Sequence, residues 1–102
     1  MVDDDEGNIQ SYKIYVDDNF HYMDESEREF GGAYPDCNSA VAACKQIVET
    51  WLQGRYRAGM SAVELYEEYT SFGDDPWISS PDKACTFSAW TYAQARCAEI
   101  CG

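Results

Sequence analysis

Positive charge is scarcest in this chain where negative charge is densest. Positions 1–29 hold ten acidic residues and only two basic ones, Lys13 and Arg28. The full 102 residues carry 7 Lys and Arg against 19 Asp and Glu, a formal charge of −12. A polyanion repels a polyanion, so direct binding to nucleic acid or to an anionic membrane surface is disfavoured. Seven scattered cations also assemble no groove for a phosphate backbone. Other absences narrow the field further. No run of eighteen apolar residues encodes a membrane span. The opening Met1-Val2-Asp3-Asp4-Asp5-Glu6 has neither the basic start nor the apolar stretch of a signal peptide, so the expected location is the cytoplasm. There the five cysteines (Cys37, Cys44, Cys85, Cys97, Cys101) are expected to be reduced thiols, and their odd number argues against a closed disulfide framework. Gly31-Gly32 fits neither phosphate-loop frame, and no C-x-x-C knuckle or EF-hand loop is present.

A chain of this length forms one domain, and 15% aromatic residues supply a core from few, large side chains. Residues 1–10 read as a mobile acidic tail and residues 11–102 as the folded unit. Tyr12, Ile14 and Val16 alternate with Lys13, Tyr15 and Asp17, which predicts a strand that Asp17-Asp18-Asn19 ends. Arg28–Tyr34 reads as a second strand in which the glycine pair marks a bulge or a close backbone approach. Asp36 is a good N-cap for a helix whose apolar positions run from Cys37 through Ala40, Cys44, Val48 and Leu52, with Gly54 as its stop. Ser61 and Glu64 form a capping box ahead of a second stripe, Ala62, Leu65, Tyr66, Tyr69 and Phe72, closed by Gly73. Asp74-Asp75-Pro76 reads as a turn. Trp77-Ile78 and Lys83–Phe87 could be short strands, and Ser88 can cap a last helix with Ala89, Tyr92, Ala93, Cys97 and Ile100 inward. The predicted class is α+β. A small antiparallel sheet of about three strands packs with three helices around one core, in the order β-β-α-α-β-α.

Three stretches within this frame, Tyr15-Val16-Asp17-Asp18-Asn19-Phe20-His21-Tyr22-Met23-Asp24, Phe72-Gly73-Asp74-Asp75-Pro76 and Phe87-Ser88-Ala89-Trp90, resemble those of a group of small bacterial proteins with no assigned activity. The likeness spans most of the chain after residue 11. It implies a bacterial, cytoplasmic, single-domain protein and carries over no catalytic residue.

Four constellations could carry function. Asp17, Asp18, Phe20, His21, Tyr22 and Asp24 put carboxylates and aromatic faces on one turn, a surface suited to a basic protein or peptide. Tyr15 and Trp77 beside Asp74 and Asp75 could extend it. The alternative is a thiol–metal or redox protein using Cys37, Cys44, Cys97 and Cys101, with zinc held by thiolates from two helices. As a third reading, His21 could serve as a general base with a nearby carboxylate, and with Ser26 or Cys85 as nucleophile. The acidic loop, through Asp17, Asp18, Asn19, Asp24, Glu25 and Glu27, also offers oxygen ligands to calcium or magnesium. The expectation is the first of these: a non-enzymatic interaction or regulatory module, without cofactor, monomeric or weakly dimeric.

Overall fold

A computed structural model describes residues 11–21, 26 and 28–102. The expected tail, Tyr22 and Asp24 of the expected binding site, and Glu25 and Glu27 of the acidic loop lie outside the described residues. Strand β1 (Tyr12–Asp18) runs into a 3₁₀ turn (Asn19–His21), followed by β2 (Glu29–Tyr34). Helices α1 (Cys37–Arg55) and α2 (Ala62–Phe72) come next, then β3 (Asp74–Ser79) and α3 (Ala89–Cys101). The element order is the predicted one. The sheet order is β2-β1-β3, antiparallel at both pairings.

Strand alternation fixes two chemically different sheet faces. Ile14, Val16 and Asp18 lie opposite Ile78, Pro76 and Asp74. Tyr15 and Asp17 lie opposite Trp77 and Asp75 and point the other way. Ile14 is fully buried and packs against Ala40 and Cys44 of α1, so its face is the inner one. The glycine pair behaves as expected. Ile14 pairs with Gly32 and Tyr15 with Phe30, which leaves Gly31 as the extra residue of a bulge. A Cβ on Gly31 would lie 2.9 Å from Ile14 Cγ1, and Gly32 has φ +126°, a conformation that favours glycine.

The helices start where their caps dictate. Ser39 N–H donates to Asp36 Oδ1 at 2.7 Å. Both bonds of the Ser61–Glu64 box form, at 3.1 and 2.9 Å. Thr91 N–H donates to Ser88 Oγ at 3.3 Å. Helix α1 passes Gly54 and ends at Tyr56, whose extended backbone still donates to Leu52 O at 2.9 Å.

The interior departs from a single core. Ile14, Ala40 and Cys44 form a small cluster under the sheet. Val48, Leu52, Met60, Leu65, Tyr69, Ala89, Ala93 and Cys97 form a larger one among the helices. Helix α1 supplies residues to both, and Phe87 packs against both. Asn19 is the one polar residue buried among those described. Its Nδ2 donates to Tyr69 O at 2.9 Å, and its Oδ1 accepts from Trp90 Nε1 at 3.2 Å. Its own N–H donates to Gly73 O at 2.9 Å. The end of β1 is thereby tied to both α2 and α3.

Two expectations are corrected. Lys83–Phe87 is not a strand. Asp82 gathers this segment into a turn, accepting from Ala84 N–H through its side chain at 3.0 Å and from Cys85 N–H through its carbonyl at 3.0 Å. Strand β3 instead begins at Asp74, within the supposed turn; Pro76 is tolerated because β3 is an edge strand. The cysteines are also not all reduced. Cys37, the first residue of α1, is bonded to Cys85, while Cys44, Cys97 and Cys101 are free. The fold returns Cys85 to the helix start across 48 residues, a proximity that spacing along the chain does not reveal.

Candidate functional site

The register of β1 against β3 sets Asp17 opposite Asp75 and Asp18 opposite Asp74. Directly opposed like charges destabilise a sheet pair, so this strand end is held against electrostatic cost. Two of the four carboxylates are compensated. Arg28 clasps Asp17 with both Nε and Nη2, at 2.7 and 3.3 Å, and its guanidinium lies 5.0 Å from the centre of the Trp77 ring. His21 Nδ1 lies 2.9 Å from Asp18 Oδ2. That contact and the Phe20 N–H bond hold the Asp18 carboxyl below its ordinary range.

Asp74 and Asp75 are different. Both are half-buried, and among the described residues neither side chain has a hydrogen-bonding or cationic partner. Burial raises the Asp74 carboxyl, and the nearby charges of Asp18 and Glu29 raise it further. Burial, followed by the charge of Asp17, pushes Asp75 up to about 6.

The Asp75 shift gives a stability prediction whose sign is fixed. The carboxyl titrates at about 6 in the fold against 3.8 when unperturbed. The fold therefore disfavours its ionised form. The penalty is fully present above about pH 6 and fades as pH falls toward the unfolded value. Asp75→Asn is expected to raise the unfolding free energy at pH 7 by on the order of 1–2 kcal/mol and to change it little near pH 4. Urea denaturation at both pH values checks this; an equal gain at both, or a loss at neutral pH, contradicts it.

Two grooves border the charged strand end. The first, about 520 Å³, lies on the inner side of the sheet beside α1. Ala43, Ile47 and Trp51 of α1 line it along with Tyr34, Gly31 and Asp74, and Gln46 and Thr50 add polar groups from α1. At Gly31 the backbone packs so closely on Ile14 and Val16 that an added Cβ would meet both side chains. The second, about 510 Å³, runs between β3 and the residues leading into α3, with Asp17, Asp75, Trp77, Ser88 and Trp90 on its walls.

The expected binding residues do not form one patch. Asp17 and Asp18 point to opposite faces of the sheet, and Asp17 is already paired within the chain. Phe20 is 61% exposed and stacks on Phe72 at 5.5 Å, with His21 edge-on to it. Tyr15 does contact Trp77, at 5.3 Å between ring centres. His21 has the orienting carboxylate that a general base needs but borders neither groove. Cys85, one of its suggested nucleophiles, is consumed in the disulfide.

The four cysteines of the thiol–metal alternative are not brought together. Cys37 is bonded to Cys85, Cys44 lies in the sheet cluster, and Cys97 lies in the helical one. Burial pushes the Cys44 thiol up to about 12 and that of Cys97 up to about 11, the reverse of what a metal ligand or reactive thiolate requires. Among the described residues, no group of three or more His, Cys, Asp or Glu could hold a metal ion. Asn19, counted as a cation ligand from sequence, has both side-chain polar atoms engaged inside the protein.

Sequence reasoning missed the first groove and the role of Arg28. One signal was present: Asp74, Pro76 and Ile78 alternate with Asp75, Trp77 and Ser79, a period of two that the proline obscured. Compared with known proteins, the chain matches no family model, no curated protein and no solved structure.

Proposed function

We propose that this protein is a non-catalytic interaction module that receives a basic segment of a partner protein at the shared end of β1 and β3. One observation carries the reading: Asp74 and Asp75 are half-buried carboxylates without a cation among the described residues, each directly opposite another carboxylate. A partly desolvated charge left unpaired costs stability, and an incoming guanidinium or ammonium relieves that cost while gaining a charge-assisted bond. Exposed Phe20 and Phe72 beside this end add aromatic area for the partner. No helix of the described residues is long and apolar enough to cross a membrane. The Cys37–Cys85 bond supports an oxidising setting for the interaction over the reducing cytoplasm expected from the acidic start of the sequence.

The test is fluorescence anisotropy with a labelled twelve-residue peptide rich in Arg and Lys. Binding is expected at low ionic strength and should weaken at least about tenfold by 0.15 M salt, where the Debye length is about 8 Å. The double variant Asp74→Asn, Asp75→Asn should lose about tenfold in affinity while keeping its circular dichroism. Affinity indifferent to both salt and the double substitution would remove the proposal.

A further inference from the structure

Resting on that reading, we infer that the groove between α1 and the inner face of the sheet is the receptor for one arginine side chain of the partner and the apolar residue beside it. The groove has the shape of such a pair. Its volume of about 520 Å³ exceeds a single side chain, and Ala43, Ile47 and Trp51 offer apolar surface to an aliphatic stem and its neighbour. One carboxylate, Asp74, stands in this mostly apolar wall. The Gln46 amide oxygen, and Thr50 Oγ1 through the lone pair left after it accepts from Gln46 Nε2 at 3.1 Å, supply acceptors for the remaining guanidinium protons.

Charge selects the occupant. The charges that bear on Asp74 are Asp18 from β1 and Glu29 from β2, both negative. Arg55 lies over the Trp51 ring at 5.2 Å, but it is committed to Glu68 at 2.6 Å. Residues 1–10, 22–25 and 27 include seven carboxylates and no basic side chain. The chain already builds the same combination on the outer face, where Arg28 joins the Asp17 carboxylate to the Trp77 ring. The inner groove offers a carboxylate and an indole in its lining, and among the described residues no guanidinium lines it. Arginine suits it better than lysine because its weakly hydrated planar head enters a partly apolar groove at lower desolvation cost.

The experiment uses the full chain, isotopically labelled, with the peptide Gly-Ser-Leu-Arg-Gly-Ser capped at both ends. Its citrulline counterpart keeps the shape and removes the charge. The arginine peptide is expected to shift amide resonances of Gly31, Ile47, Thr50 and Asp74, and the citrulline peptide to bind at least about tenfold more weakly. Thr50→Phe, a substitution at the groove, should block binding at unchanged net charge; Ala43→Leu repeats the test from inside the groove. Binding undiminished in both filled variants, or shifts confined to Trp77 and Trp90, overturns the groove assignment. If those variants still bind the longer basic peptide in a salt-sensitive way, the broader reading of a basic partner stands alone. If the unmodified protein binds no arginine peptide at low salt, both fall.

Discussion

Breaking the Cys37–Cys85 bond lowers the unfolding free energy by about 4 kcal/mol. The bond closes a loop of 48 residues, and the chain-entropy relation gives about 4 kcal/mol for a loop of that length. The native contacts around it do not compensate for its loss. Cys85 is 6% exposed and leads into Phe87, which packs against both clusters. A Cys37→Ala, Cys85→Ala variant, or the reduced protein, therefore loses both the constraint on the unfolded chain and the anchor that holds the 80–88 segment to the start of α1. Urea denaturation with and without reductant measures the difference. The unfolded, unreduced chain should show three reactive thiols, from Cys44, Cys97 and Cys101, and five after reduction. A loss below about 1 kcal/mol, or five thiols at the outset, contradicts the expectation.

Asn19→Ala costs about 3 kcal/mol. Asn19 is 7% exposed and its side chain makes two bonds to groups that are otherwise distant in the chain. Removing the amide takes the acceptor from the Trp90 indole N–H, on a side chain that is 39% exposed, and one of two donors from Tyr69 O, which keeps the Gly73 N–H at 2.7 Å. The two lost hydrogen bonds cost about 1 kcal/mol each, and the vacated volume adds to this. The substitution does not touch the disulfide, so its effect should add to that of reduction within about 0.5 kcal/mol. Trp90→Phe removes the donor as well, and the double variant should recover part of the loss, of order 1 kcal/mol. Additive losses in that cycle would mean that the Asn19–Trp90 bond contributes nothing.

The elements were legible in the sequence because their signals are local. The Asp36 cap, the Ser61–Glu64 box and the alternation of Tyr12, Ile14 and Val16 each depend on residues a few positions apart. The bulge at Gly31-Gly32 was legible for the same reason, since glycine inside a strand pattern packs no side chain and commonly marks an irregular pairing. What escaped was non-local. The disulfide joins residues 48 apart. Asn19 ended β1 as expected, but its burial depends on α2 and α3 arriving around it. The site was legible in kind and not in arrangement. Acidic and aromatic residues do gather at the strand end. Their division between two faces follows from the register of β1 on β3, and Arg28 removes Asp17 from the free charge.

The continuity of α1 through both clusters bears on how the molecule opens. Ala40 and Cys44 sit under the sheet and Val48 and Leu52 among the helices, so the middle of this helix cannot come loose without disturbing both ends. Strand β2 lies at the sheet margin, carries two glycines and has Phe30 61% exposed. Deuterium uptake should therefore arrive in two tiers: β2 amides exchange through shallow local fluctuations, while those of residues 44–52 wait for complete unfolding.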